Sequence, residues 1–376
     1  MVPSRLTAPL VLLLVPVLTP AAEPFRYQEG THGPARLRYI NDLPVLSVSG
    51  TPEEIGEQIA VLTADPLRRL VKYPRATLEA LHVGFLLPQL IKVSNAMLPQ
   101  FPPDHRRELE AMAKRARVPM DLAVLGTTLP DILKTTSCST IIVDPARSAV
   151  KGPLFGRNLD YYNLGFLHEY SLVTVYRPKG KHAFVAIGFP GMVGCVSGMN
   201  DAGLALATLE VYSSKDGAPK LQPKGVPYVL TYRRILEECT TVAEAEKLLR
   251  SLERTTMNNL AICDPHGGAV FEITSRSLVV RRPEQDVCCC TNHFRTPELA
   301  TATQCRRYDI LSTCRQLPRI DLATVTKKLH AANQGDDTLQ TMIFEPASLR
   351  LHLAIGKPPA SARPLKTLEC ASLLKP

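Results

Sequence analysis

Residues 135–162 read TTSCSTIIVDPARSAVKGPLFGRNLDYY. Two apolar runs, STIIV and PLFGRNL, flank a segment carrying Asp144, Pro145, Gly152 and Pro153, the composition of two strands joined by a connection. Cys138 stands between two serines at the head of the first strand. Arg157, Asn158 and Asp160 crowd the far end of the second. If the second strand pairs back on the first, the thiol lies beside a cation, an amide and a carboxylate. That pairing makes the middle of the chain antiparallel β and gives it a polar focus.

The pattern around this hairpin agrees. After residue 162 come YSLVTVY, HAFVAIG, GCVSGMN and GLALATLEVY, short, β-branched or aromatic and separated by Gly, Pro and Asp. They read as strands and hairpins. Before it, residues 51–133 read as helical. TPEEIGEQIAVL opens with Thr51, Pro52 at a first helical position and acids in the first turn, and LEALHVGFLLPQLIKVSNAML and DHRRELEAMAKRARV keep three- and four-residue apolar spacing. Helices return at YVLTYRRILEEC and TVAEAEKLLRSL, the second with Thr241 and Glu244 in capping-box spacing. Strands NNLAICD and AVFEITSRSLVVRR follow, joined by PHGG, and then QDVCCCTNHF. Residues 298–317 and 321–333 read as helices, and TLQTMIFEP and LRLHLAIG as a last hairpin. Helices, many antiparallel strands, helices and strands again predict an α+β layered fold in one domain.

The chain has 376 residues, 45% hydrophobic and 21% charged, a globular composition. Its +9 net charge is dispersed, without a Lys/Arg block or a nucleic-acid motif, so no nucleic-acid partner is expected. The first 22 residues, MVPSRLTAPLVLLLVPVLTPAA, carry Arg5, a short apolar core and a small-residue end. This is the pattern of a cleavable signal peptide rather than a membrane span, and a secreted or periplasmic location is expected, with no stable membrane insertion. Ten cysteines in an exported chain suggest one or two disulfides, but Cys288, Cys289 and Cys290 are consecutive, which no regular bridge framework uses. Most read as small buried residues. No Cys-x-x-Cys or His-x-x-x-His spacing offers a metal cage, and no cofactor or metal is expected.

A thiol of pKa about 8.5 needs a base to become a nucleophile. A histidine distant in sequence could serve; His293, beside Asn292, is the nearest candidate by motif. Another solution is the α-amino group, pKa about 7.7–8.0, freed if the Ser137–Cys138 bond is cut so that Cys138 becomes a chain terminus. Such a site needs a carboxylate to orient the ammonium and gains from a cation near the thiol. Asp160 and Arg157 supply both.

The combination CST, GRNLDYY, MNDAGLALATLEV, NNLAICDPHGGAVFEIT and TNHFRTPEL resembles the N-terminal-nucleophile cysteine amidases and acyltransferases, a family that includes isopenicillin-N acyltransferase, penicillin V acylase, bile-salt hydrolases, acid ceramidase and N-acylethanolamine acid amidase. The resemblance implies a four-layer αββα Ntn-hydrolase sandwich. It implies Cys138 as nucleophile, freed by self-cleavage after Ser137, with Arg157 and Asp160 in the catalytic centre, Glu210 near the oxyanion site and Asn292 as the oxyanion-hole amide. Arg306 or Arg307 falls where some relatives carry a further arginine. It divides the chain into a signal peptide (1–22), a helical N-terminal part (23–137) that becomes a small subunit and stays bound, and a catalytic part (138–376). The expected chemistry is acyl transfer at linear amide bonds of a small molecule with an apolar acyl group. The segments LHVGFLLPQLI (81–91) and YYNLGFL (161–167) are the candidates to line the acyl pocket. Two other readings stay open: a papain-like thiol hydrolase with an intact Ser137–Cys138 bond, and a non-catalytic secreted binding protein on the same scaffold.

Overall fold

A computed structural model describes residues 25–134 and 136–375. The expected leader, residues 1–22, lies outside the described residues. Strands β1 (Gly30–His32), β2 (Ala35–Ile40) and β3 (Leu43–Gly50) come first. Six helices follow: α1 (Pro52–Leu62), α2 (Ala64–Leu70), α3 (Tyr73–Ala80), α4 (Leu87–Met97), α5 (Pro103–Ala116) and α6 (Met120–Ile132). The opening hairpin is β4 (Thr136–Val143) and β5 (Leu154–Tyr161), succeeded by β6 (Leu172–Pro178), β7 (Phe184–Gly188), β8 (Ser197–Asn200) and β9 (Ala205–Glu210). After α7 (Tyr228–Glu238) and α8 (Val242–Arg250) run β10 (Asn258–Asp264), β11 (Gly267–Ile273), β12 (Leu278–Arg281) and β13 (Val287–Cys290). Helices α9 (Arg306–Ser312) and α10 (Leu322–Ala331), strands β14 (Thr338–Glu345), β15 (Arg350–Ile355) and β16 (Lys366–Glu369), and α11 (Cys370–Leu373) complete the chain.

The strands form two sheets. The larger has the order β1-β2-β3-β6-β7-β8-β9-β10-β11-β12 and the smaller β13-β4-β5-β14-β15-β16. Neighbours are antiparallel except β3 and β6, which run parallel. Residue alternation sorts most apolar side chains of the two sheets into three of the molecule's cores. Val45, Val173, Ala207 and Cys263 of the larger sheet meet Cys138, Phe155, Leu159 and Met342 of the smaller. The outer face of the larger sheet, with Leu37, Leu46 and Leu260, packs on Ile59, Leu109 and Leu230 of the helices. The outer face of the smaller sheet, with Ile141, Val143 and Ile343, packs on Leu311, Val325 and Leu329. The result is the expected helix-sheet-sheet-helix stack. Gly156 is where the last layer seats: a Cβ there would lie 2.7 Å from Val325 Cγ1, so only glycine lets α10 come down on β5.

Three expectations change. The N-terminal part is helical only from Pro52 to Ile132; β1–β3 precede the helices and extend the larger sheet. Their signal is present: Ala35 and Leu37 are buried between exposed Arg36 and Arg38, and Asn41-Asp42 turns the hairpin with φ values of 50° and 64°. The helix expected over 298–317 begins only at Arg306; in the segment before it the Leu299 carbonyl accepts from the Lys215 N–H at 3.0 Å instead of from a helical turn. All ten cysteines are free thiols, so the expected disulfides are absent. Cys288 and Cys290 face the intersheet core while Cys289 faces the helices, as strand alternation requires.

Candidate active site

Strand β4 pairs with β5 so that Cys138 opposes Leu159 and Ser137 opposes Asp160. The period of two then decides what each side chain can reach. Arg157 shares the inner face with Phe155 and Leu159. There its Nη1 donates to the Thr208 carbonyl of β9 and its Nη2 lies 3.5 Å from Cys138 Sγ. Asp160, three residues on, takes the opposite face. It accepts from Thr338 Oγ1 at 2.6 Å and lies 3.7 Å from Arg307 Nη1. Thus the two charges of GRNLD approach Cys138 from opposite faces of one strand and are not paired with each other.

The remaining residues come from other elements. Asn292, just past β13, accepts the Cys138 backbone N–H on Oδ1 at 2.8 Å and donates from Nδ2 to the Glu210 carbonyl at 2.8 Å. Arg307, in the first turn of α9, donates to the Cys138 carbonyl and, from Nη2, to Asn292 Oδ1 at 2.9 Å. Arg306 is exposed and Arg307 buried, which separates the two candidate arginines: only Arg307 reaches the site. Glu210 ends β9 fully buried rather than solvated. Cys138, Arg157, Asp160, Glu210, Asn292 and Arg307 therefore converge, with Ser137 one bond away. Sequence reasoning missed Thr338, whose register position opposite Asp160 is fixed only by the pairing of β14 with β5. It missed Lys134 as well, since nothing in its spacing marks it. Among the described residues no histidine hydrogen-bonds Cys138.

The electrostatics favour a neutral thiol at Cys138. Burial pushes the Cys138 thiol up; Arg157 pulls it down, while Asp160 and Glu210 push it further up, and the net shift is upward. The expected thiolate-stabilising effect of Arg157 is present but outweighed. Burial likewise raises Asp160 to about 7, against the lowering by Thr338, Arg307 and Arg157. Opposed influences of this kind in one buried cluster are characteristic of functional sites.

An apolar cleft continuous with solvent opens at Tyr161, the last residue of β5. Leu67, Tyr73, Met112 and Leu129 of the N-terminal helices form one wall; Tyr161, Leu167 and the Phe189–Met192 turn form the other. Tyr161 follows Asp160 directly in β5 and is the strand's contribution to the lining. The 161–167 loop contributes as expected. Residues 81–91 do not line the cleft: Leu87 packs into a neighbouring core and Phe85 is 73% exposed.

Residues 148–313 match the family model of acyl-coenzyme A:6-aminopenicillanic acid acyl-transferase. That span contains Arg157, Asp160, Glu210, Asn292 and Arg307 and begins ten residues after Cys138. The chain is 22% identical over 316 residues to an uncharacterized protein of Archaeoglobus fulgidus, covering 69% of this chain and 52% of that one. It is 24% identical over 243 residues to acid ceramidase of Balaenoptera acutorostrata scammoni, covering 59% and 60%. It thus spans between half and two thirds of the length of these relatives. Among solved structures it is similar to a Caenorhabditis elegans N-acylethanolamine-hydrolyzing acid amidase ortholog, with 16% identity, TM-score 0.44, and 61% of this chain and all of that one covered. It is also similar to penicillin V acylase of Agrobacterium tumefaciens, with 13% identity, TM-score 0.38, and 58% and 83% covered. The resemblance to N-terminal-nucleophile amidases and acyltransferases, read from five short motifs, is thus met by a family model over the segment that holds most of the site.

Proposed function

We propose that this protein is a self-processing cysteine amidase or acyltransferase with Cys138 as its nucleophile. One observation carries the reading: three separate elements converge on the one residue, Arg157 on its thiol, Asn292 on its N–H and Arg307 on its carbonyl. A structural cysteine in an intersheet core needs none of these partners.

In the first reaction the Cys138 thiol adds to the Ser137 carbonyl carbon. The thiol proton passes to the Cys138 amide nitrogen, the C–N bond breaks, and Ser137 becomes a thioester on Sγ. Water then releases the Ser137 carboxylate and regenerates the thiol beside a free α-amine. Asn292 and Arg307 hold the N–H and C=O on the departing side of that bond, which fixes its geometry. In turnover the α-amine takes the thiol proton as the sulfur attacks a substrate amide, and returns it to the departing amine. Water or a second amine resolves the acyl-enzyme. In this reading Asp160 balances the ammonium of the new terminus, and the Asn292 amide meets the oxyanion. The apolar cleft beside Tyr161 suits an apolar acyl group, whose burial stabilises binding by roughly 25 cal/mol per Å². The acyl-transfer activity suggested by the family match, and small-molecule amides as substrates, belong to this proposal. So do export through residues 1–22 and retention of the N-terminal part after cleavage.

The test is the mass and N-terminal sequence of the purified wild-type chain beside Cys138→Ala. A wild-type fragment beginning Cys-Ser-Thr-Ile-Ile, absent from the variant, is expected. An intact wild-type chain that nevertheless cleaves acyl amides would overturn the α-amine as base.

A further inference from the structure

Four residues before Cys138 stands a lysine that the chemistry above does not use. Lys134 follows the end of α6, and its Nζ donates to the Met257 carbonyl at 3.0 Å. It lies 5.6 Å from the centre of the Tyr228 ring on α7. Met257 immediately precedes β10, whose first residue, Asn258, pairs with Glu210. Val211, just past β9, also donates to the Met257 carbonyl, at 3.4 Å. The lysine therefore ties the chain entering the cleavage site to the edge of the sheet from which Glu210 projects.

The acids that face this ammonium are Glu210 on β9 and Asp131 on α6; Tyr228 of α7 supplies the aromatic face. Burial lowers the Lys134 pKa, and the two carboxylates act the other way. Asp131 is itself fixed, accepting from the Tyr228 amide at 3.2 Å and from the Thr255 hydroxyl. So the exit of α6 is held at two points on the 255–257 segment, a neutral-to-anion bond from Asp131 and a cation-to-carbonyl bond from Lys134. Only the second lies beyond the helix, on the chain that runs directly into the scissile bond.

We propose that Lys134 is a positioning residue for self-cleavage. It holds residues leading to Ser137 against the β9–β10 edge, so that the Ser137 carbonyl is presented to the Cys138 thiol. This rests on the self-processing reading above. Lys134 transfers no proton. Its contribution is to keep a short connection from moving, and to place one positive charge between Asp131 and Glu210 close to the strand that is cut. A shift of about 1 Å in reacting groups costs on the order of a hundredfold in rate; Ser137 is held on one side by its pairing with Asp160 of β5, and Lys134 adds a hold on the side where the chain leaves α6.

The experiment is cell-free translation of the full chain as wild type, Lys134→Met and Lys134→Arg. Precursor and fragments are followed over time by electrophoresis, and melting temperatures are measured on the same substitutions placed in the Cys138→Ala chain. Lys134→Met is expected to process roughly 10- to 100-fold more slowly, with Lys134→Arg restoring most of the rate because it keeps a charged donor. The precursor carrying Lys134→Met should melt with the Cys138→Ala chain. Equal processing by Lys134→Met and wild type overturns the inference. So does a slow Lys134→Met that Lys134→Arg fails to rescue, or one whose precursor melts several degrees lower. Failure of wild type itself to cleave would instead sink the self-processing reading.

Discussion

Arg233 is the best place to test how the N-terminal helices are held to the rest of the molecule. Its Nη1 and Nη2 grip Glu108 of α5 at 2.7 and 2.6 Å, its Nε reaches Glu237 at 2.8 Å, and Nη1 also donates to the Val193 carbonyl at 2.8 Å. All three charged side chains are at most 3% exposed, and the guanidinium stacks 4.7 Å from the Tyr176 ring centre. Replacing Arg233 by Met removes four hydrogen bonds but not equally damaging ones. Glu237 keeps Lys181 at 2.8 Å and His105 at 3.0 Å. Glu108 loses the only side-chain partner found for it among the described residues and is left as a buried carboxylate. Removing one partner of a buried ion pair costs about 3–5 kcal/mol, most of it the uncompensated charge left behind. Arg233→Met in the Cys138→Ala chain should therefore lower stability by about that much in urea unfolding followed by circular dichroism. Adding Glu108→Met should recover roughly 1–3 kcal/mol, since neighbouring sites are not additive. A loss below about 1 kcal/mol for Arg233→Met, or strict additivity with Glu108→Met, would refute the argument that this buried network clamps the helices.

Two further outcomes follow from the site. Arg306→Met should leave processing unchanged and stability within about 0.5 kcal/mol, as exposed substitutions do, whereas Arg307→Met should slow fragment formation by more than roughly tenfold, because it frees the Cys138 carbonyl and Asn292 Oδ1 together; comparing the two by the same electrophoretic time course separates them. Asp160 sets a pH dependence. Its folded pKa, about 7, lies above the ordinary 3.8, so the folded chain binds the proton more tightly than the unfolded one. The stability this supplies is full below about pH 4 and is lost as pH rises toward 7. Urea midpoints of the Cys138→Ala chain should decline over that window, and adding Asp160→Asn should flatten the decline; parallel curves would show that other groups cause it.

The sequence alone determined the local elements and the inventory of reactive groups. Turn chemistry around Pro145 and Gly152 with β-branched runs on either side is enough to define β4 and β5, and pairing them places Cys138 near Arg157 and Asp160 without further information. The Thr51-Pro52 start and the apolar spacing of α5 were likewise legible, because caps and periodicity are local properties. The alternating Ala35-Arg36-Leu37-Arg38 strand was equally local and could have been found. What the sequence left undecided depends on contacts between distant elements. Arg306 and Arg307 are neighbours of one type, and only the seating of α9 on β4 and β13 turns one inward. Arg157 and Asp160 lie on opposite faces of β5 by strand alternation, and their partners, the Thr208 carbonyl and the Thr338 hydroxyl, come from strands far along the chain. The reach of Lys134 to Met257, and the choice of cleft-lining helices, follow from the same cause: a side chain's neighbours are set by how layers stack, and stacking is a property of the whole chain rather than of any segment in it.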